Sequence, residues 1–287
     1  LGKLGGRELT IGSDLDLLFL YRADGDESDG ERPLTQIPYF TRLGQRYLGA
    51  ITAPTAEGTL YEVDMRLRPS GNAGPLATSF DAFRKYHHES AWTWEHMALT
   101  RARVVVADNS FRGDLDKCIH EILTAPRDSD ALLRDVADMR ARIERDRKSA
   151  GDWDIKNRRG GLIDIEFIVQ YLQLRYAAEH PAILSPNTTD ALRRLKQAEI
   201  LDPPTADSLI EAMHLWRNVQ GVLRLGVGED FDGTSASADH KAMIARGCNM
   251  NDYETLEKTV METAENCYSI FCKLIEGPAA KMMPRET

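Results

Sequence analysis

Within Leu60–Arg68 apolar and polar residues alternate at every step from Tyr61 onward. Glu62, Asp64, Arg66 and Arg68 fall on one side, and Tyr61, Val63, Met65 and Leu67 on the other. A period of two belongs to a half-buried strand, so the pattern predicts a β-strand over this stretch. The apolar run Leu17–Tyr21, entered through Gly12-Ser13-Asp14-Leu15-Asp16, predicts another. A helix is expected near Ile37–Ile51, after an acidic, glycine-rich loop at Asp24–Glu31 that reads as solvated surface. Ser79 can cap a helix running through Phe80, Phe83 and Tyr86 towards Trp94, and Arg101–Val106 reads as a further short strand. After Pro126 the period changes. Leu132, Leu133, Val136, Met139 and Ile143 recur at three- and four-residue steps, the mark of an amphipathic helix. Gly161–Ala178, Thr188–Ile200, Pro203–Gly226 and Tyr253–Ile275 continue in the same style. The fold class expected is α+β: a mixed domain over residues 1–125, then an all-α helical bundle over residues 126–287.

The predicted strands carry the candidate chemistry. Side chains alternate across a strand, so Asp14 and Asp16 share a face, and Asp64 offers a third carboxylate from a neighbouring strand. Three such carboxylates suit a pair of Mg²⁺ ions about 3.5–4 Å apart, the arrangement that serves phosphoryl transfer. The Gly5-Gly6 turn is expected to open a short helix whose free N–H groups hold phosphate. Arg66 and Arg68 match a triphosphate through their guanidinium forks; the alternative for them is an ion pair with Glu62 or Asp64.

Composition narrows the partners. The chain has 287 residues, 36 basic and 45 acidic, and a net charge of -9. Nucleic acid, which demands clustered positive charge, is a poor general partner, and a protein substrate fits better. Cys118, Cys248, Cys267 and Cys272 show neither zinc spacing nor a disulfide framework, so buried thiols are expected. The seven histidines lack metal spacing. No apolar run is long enough to span a bilayer and no signal peptide is visible, which makes the cytoplasm the default.

Gly2–Leu9, Ser13–Leu17 and Tyr61–Pro69 together resemble the nucleotidyltransferase half of the glutamine synthetase adenylyltransferase family. The resemblance continues through Ser70–Leu76, Ala91-Trp92-Thr93-Trp94-Glu95-His96, Thr100–Val104 and Asp154–Phe167. It implies a DNA polymerase beta-like nucleotidyltransferase domain, entered at Leu1 near the end of the family's first core strand and therefore N-terminally truncated. The family joins two related halves, one attaching AMP to a tyrosine of glutamine synthetase and one removing it. Ser70–Gly74 and Ala91–His96 look more like the C-terminal, attaching half. Arg7 departs from it, standing where that half more often has Trp, and Asp14 follows Gly5 by nine positions, short for the wider superfamily.

On this resemblance Asp14, Asp16 and Asp64 hold two Mg²⁺ ions, while ATP phosphates lie against Gly5, Gly6, Ser13 and Arg66 or Arg68. Asp64 also assists removal of the tyrosine proton. Asp164 and Glu166 recur in the family's helical region and in PII uridylyltransferases, where they would face the nucleotide; Lys156, with Arg158 and Arg159, would meet phosphate or those acids. The alternative for Asp164 is a charge or cap on the first turn of its helix. Glutamine synthetase is the implied substrate, with glutamine and the nitrogen-regulatory PII protein as effectors. Two other functions remain open: the AMP-removing half, and a non-catalytic module that binds PII or glutamine synthetase.

Overall fold

The computed structural model describes residues 1–59, 61–147, 149, 151–228 and 231–282. The chain divides into two compact units, Leu1–Ala125 and Pro126–Thr287.

The first unit is mixed. A short helix, α1 (Gly2–Gly5), leads by an irregular turn to β1 (Leu15–Asp16), and β2 (Phe19–Tyr21) follows after a two-residue break. Then come α2 (Gln36–Ile51), β3 (Val63–Asp64), β4 (Ala77–Ser79), α3 (Phe80–Glu89), α4 (Thr93–Leu99) and α5 (Asn109–Thr124). β1 pairs with β3 and β2 with β4, both in parallel. Parallel neighbours need a crossover, and α2 lies within it. Tyr21 is buried and stacks on Phe40 of α2, with ring centroids 4.1 Å apart.

Three predicted elements come out differently. The strand expected from Leu60 to Arg68 shrinks to Val63–Asp64; Leu60 itself lies outside the described residues. The Asp64 carboxylate accepts a hydrogen bond from the Arg66 backbone N–H at 2.8 Å, a side-chain turn that bends the chain out of the strand. The single helix expected from Ser79 to Trp94 is two. Ser79 caps α3 as predicted, its Oγ accepting from Ala82 N at 3.3 Å. Glu95 then reaches back to the Trp92 N–H at 2.8 Å and accepts from Tyr86 Oη at 2.9 Å, which starts α4 afresh. Arg101–Val106 forms no strand, because its arginines are spent on the N-terminal segment, as described below.

The second unit is a helical bundle: α6 (Ser129–Asp146), α7 (Leu162–Tyr176), α8 (Thr188–Gln197), α9 (Pro203–Gly226), α10 (Ala238–Gly247), α11 (Tyr253–Phe271) and α12 (Gly277–Met282). A π-helical turn, Cys272–Glu276, joins the last two. Most of α7 is buried, including Ile165, Ile168 and Leu174, so a helix apolar nearly all round sits among α6, α8, α9 and α11. Cys118, Cys248 and Cys267 are buried free thiols and Cys272 is half-buried. Among the described residues no helix is long and apolar enough to cross a membrane.

Candidate active site

Asp16 and Asp64 are direct register partners on β1 and β3, locked by Leu15 N donating to Glu62 O at 2.8 Å and Leu17 N to Asp64 O at 2.9 Å. Partners in a parallel ladder project to the same face, and Asp14, two residues before Asp16, shares that side of its chain. An open cleft of about 440 Å³ lies here, lined by Asp14, Glu62, Asp64, Arg66, Arg68 and Asn72 among others. Burial pushes the Asp16 carboxyl above its ordinary range, and the negative charges of Asp64 and Asp14 add to the effect, opposed by Arg101. Asp64 goes the other way. Hydrogen bonds from Arg66 hold its carboxyl below the usual range, which makes Asp64 a poor base for the proton-removal role that the resemblance implied.

Of the two arginines expected to hold phosphate, Arg66 takes the ion-pair alternative: its Nη2 lies 2.5 Å from Asp64 Oδ2. Arg68 donates to the carbonyls of Met65 at 2.8 Å and Gly74 at 3.3 Å, so it ties the loop after β3 together. The Gly5-Gly6 expectation is corrected. The helix ends in the glycine pair rather than starting after it, and both N–H groups are consumed, Gly5 by Leu1 O at 2.7 Å and Gly6 by Gly2 O at 3.1 Å. Gly5 serves close packing instead, since a Cβ there would stand 1.8 Å from Arg101 O. The Ser13 hydroxyl is likewise engaged, accepting from Thr10 N at 3.0 Å and meeting Thr10 Oγ1 at the same distance.

Arg101 and Arg103 escaped the sequence reading. Arg101 forms a buried ion pair with Glu8, and Arg103 donates to Gly5 O at 3.0 Å and Leu4 O at 2.7 Å. Together they clamp α1 and the glycine turn beside β1. Their alternation with Ala102 had placed both arginines on one side, a signal that read only as a strand.

In the helical unit, Asp164 has no exposed surface and cannot face a nucleotide. One carboxylate oxygen meets Nε of the equally buried Arg140, and the other accepts from Gly160 N at 2.6 Å. Burial pushes this carboxyl up, and Arg140 and the Gly160 N–H oppose the push. Gly160 sits at φ +73°, with its carbonyl bonded to Trp216 Nε1 at 3.1 Å; a Cβ there would stand 1.8 Å from Ala264 O. Asp164 thus realises the first-turn structural role. Glu166 is half-buried further along α7, and Lys156 is exposed on the preceding loop. Arg159 meets acids, but Glu144 at 2.5 Å and Glu276 at 2.8 Å rather than Asp164 or Glu166. A groove of about 770 Å³ between the ends of α8 and α9 contains none of these residues, and Lys196 and Asp207 close on each other there at 2.6 Å.

Asp16 and Asp64 on the two hydrogen-bonded strands, with Asp14 one residue before β1, form an all-oxygen donor set of the hardness Mg²⁺ prefers. Among the described residues no three acidic, histidine or cysteine side chains converge as a metal cluster in this conformation; Asp64 is turned into Arg66. The donors fit the ion by their chemistry, while in this conformation the Asp64 carboxylate is taken by Arg66.

Comparison with known proteins supplies the class. Residues 1–117 match the family model of glutamate-ammonia ligase adenylyltransferase, and residues 131–275 match that of GlnD PII-uridylyltransferase. Both are nucleotidyltransferase families by name. The chain belongs to the glutamine synthetase adenylyltransferase family. It is 45% identical over 282 residues to the bifunctional glutamine synthetase adenylyltransferase/adenylyl-removing enzyme of Rhodopseudomonas palustris strain TIE-1, covering 98% of this chain and 28% of that protein. Enzymes of the same name from Bradyrhizobium sp. strain BTAi1 and Xanthobacter autotrophicus are 44% and 43% identical, over 96% and 97% of this chain and 28% of each relative. The chain therefore spans little more than a quarter of the length of these relatives.

Proposed function

We propose that residues 1–125 form a DNA polymerase beta-like nucleotidyltransferase domain that transfers AMP from ATP to a tyrosine of glutamine synthetase, with residues 126–287 as its helical bundle domain. The observation that carries this reading is the β1–β3 register, which pairs Asp16 directly with Asp64 beside a cleft lined by Asp14 and Asp64. Two Mg²⁺ ions, when bound, supply the positive charge that favours attack by the tyrosine oxygen and departure of pyrophosphate. The chain's own part is to present Asp14, Asp16 and Asp64 as ligands from a rigid strand pair and to hold the nucleotide in the cleft. Arg66 is the guanidinium placed to meet phosphate once it leaves Asp64, whereas Arg68, Gly5, Gly6 and Ser13 shape the site through their backbone ties.

The similarity of residues 131–275 to a PII-uridylyltransferase family supports a helical domain that responds to PII, and glutamine is the second proposed effector. Glutamine synthetase as the proposed substrate supports a cytoplasmic location.

A second reading has its own support, because the relatives' name joins adenylyltransferase to adenylyl-removing enzyme. The deciding experiment supplies Mg²⁺ and offers the chain labelled ATP with unmodified glutamine synthetase, and separately adenylylated glutamine synthetase with phosphate. Incorporation of AMP with release of pyrophosphate is expected. Phosphate-dependent release of ADP without incorporation would establish the removing half instead.

A further inference from the structure

Both oxygens of Asp64 are held by one residue. Arg66 donates from its backbone N to Oδ1 at 2.8 Å, from Nε to Oδ1 at 3.0 Å and Oδ2 at 2.9 Å, and from Nη2 to Oδ2 at 2.5 Å. The other arginines around the site are tied to the fold: Arg68 to Met65 O and Gly74 O, Arg101 to Glu8, Arg103 to Leu4 O and Gly5 O. Arg66 differs. Among the described residues its guanidinium has no side-chain partner except Asp64, and its side chain is 67% exposed against 18% for Asp64. It therefore grips a candidate ligand from the solvent side, at the wall of the cleft, with the negative charges of Asp14 and Asp16 adding to the attraction.

A guanidinium fork and a divalent cation compete for the same carboxylate oxygens, while phosphate competes with carboxylate for the fork. We propose that Arg66 is a latch on the carboxylate site: it occupies Asp64 until cation and nucleotide arrive, then passes to the nucleotide phosphate. The inference rests on the reading of Asp14, Asp16 and Asp64 as metal ligands. Its consequence is coupling. Nucleotide phosphate that draws Arg66 away frees Asp64 for the cation, and by linkage the cation favours nucleotide equally.

The test is Mn²⁺ binding to the whole chain, followed by water-proton relaxation, with and without a non-hydrolysable ATP analogue. Arg66→Lys keeps the charge and loses the fork, so a general charge effect leaves its Mn²⁺ affinity at the wild-type value. The latch instead predicts nucleotide-free Mn²⁺ affinity raised about 1.5- to fivefold in Arg66→Lys, the scale of an exposed charge pair. It also predicts that the analogue tightens Mn²⁺ binding less in the variant than in wild type. Equal or weaker Mn²⁺ affinity in Arg66→Lys overturns the latch. Asp16→Asn separates the two ideas: if it binds Mn²⁺ as wild type does, the carboxylate reading fails and the latch with it. If it abolishes binding while Arg66→Lys matches wild type, the latch alone fails.

Discussion

Asp164→Asn should be a stability defect with nucleotide binding left intact. The carboxylate and its partner Arg140 are both fully buried, and the second carboxylate oxygen holds the Gly160 N–H at 2.6 Å. Asparagine keeps the volume and can still accept from Gly160, but it leaves the Arg140 guanidinium charged and unneutralised in the bundle interior. Breaking a buried pair from one side costs about 3–5 kcal/mol, far above the roughly 0.5–2 kcal/mol of an ordinary first-turn cap. For a unit of this size, about 1 kcal/mol lowers Tm by roughly 2–4 °C, so the expected fall is about 6–20 °C. Calorimetry gives the melting loss, and titration of an ATP analogue below the variant's transition gives the affinity. Replacing both partners together, Arg140→Met with Asp164→Leu, should recover much of the loss, because no charge is then stranded. A variant that melts like wild type yet fails to bind the analogue would refute this reasoning and return Asp164 to the nucleotide site.

Three further outcomes are expected. Gly2→Ala should damage the acid site, since Gly2 has φ +49° and its added Cβ would stand 1.9 Å from Asp16 Oδ2; Mn²⁺ binding should weaken, and an unchanged affinity would contradict the contact. Asp16→Asn should raise rather than lower Tm at pH 7, because burial and the charges of Asp64 and Asp14 disfavour the ionised Asp16; a lower Tm would reverse that picture. His87 is 6% exposed, and burial, with His96 and His88 adding to it, lowers its pKa from 6.5 to about 4. A depressed histidine contributes stability that is complete above pH 6.5 and lost as pH falls towards 4, here about 3 kcal/mol, and denaturant titrations should show the loss shrinking in His87→Phe.

The helices were legible because each carries its signal locally. Ser79 caps where the sequence places it, and Pro203–Gly226 forms over the predicted range, with Asp202 as its cap. Asn109–Thr124 and Ala238–Gly247 are helices that the periodic reading did not single out. The strands were harder. Alternation continues to Arg68, yet the strand stops at Asp64, because that carboxylate bonds the backbone two residues on, and no count of polar and apolar positions contains such a bond. The same register nevertheless put Asp14, Asp16 and Asp64 within view from sequence alone. Roles set by distant partners were not visible: Arg140 lies 24 residues before Asp164, and Glu8 lies 93 residues before Arg101. The glycine pair misled for a related reason, since its N–H groups are taken by a helix ending there rather than starting there.

The central claim is that the paired strands β1 and β3 present the carboxylates that carry nucleotidyl transfer. It is tested most directly by measuring labelled AMP incorporation into glutamine synthetase by the wild-type chain and by Asp14→Asn, Asp16→Asn and Asp64→Asn, with each variant's fold verified by circular dichroism. Wild type should incorporate AMP, and each variant should fall by about 100-fold or more with its fold retained. Near-normal incorporation by any one folded variant would contradict the account.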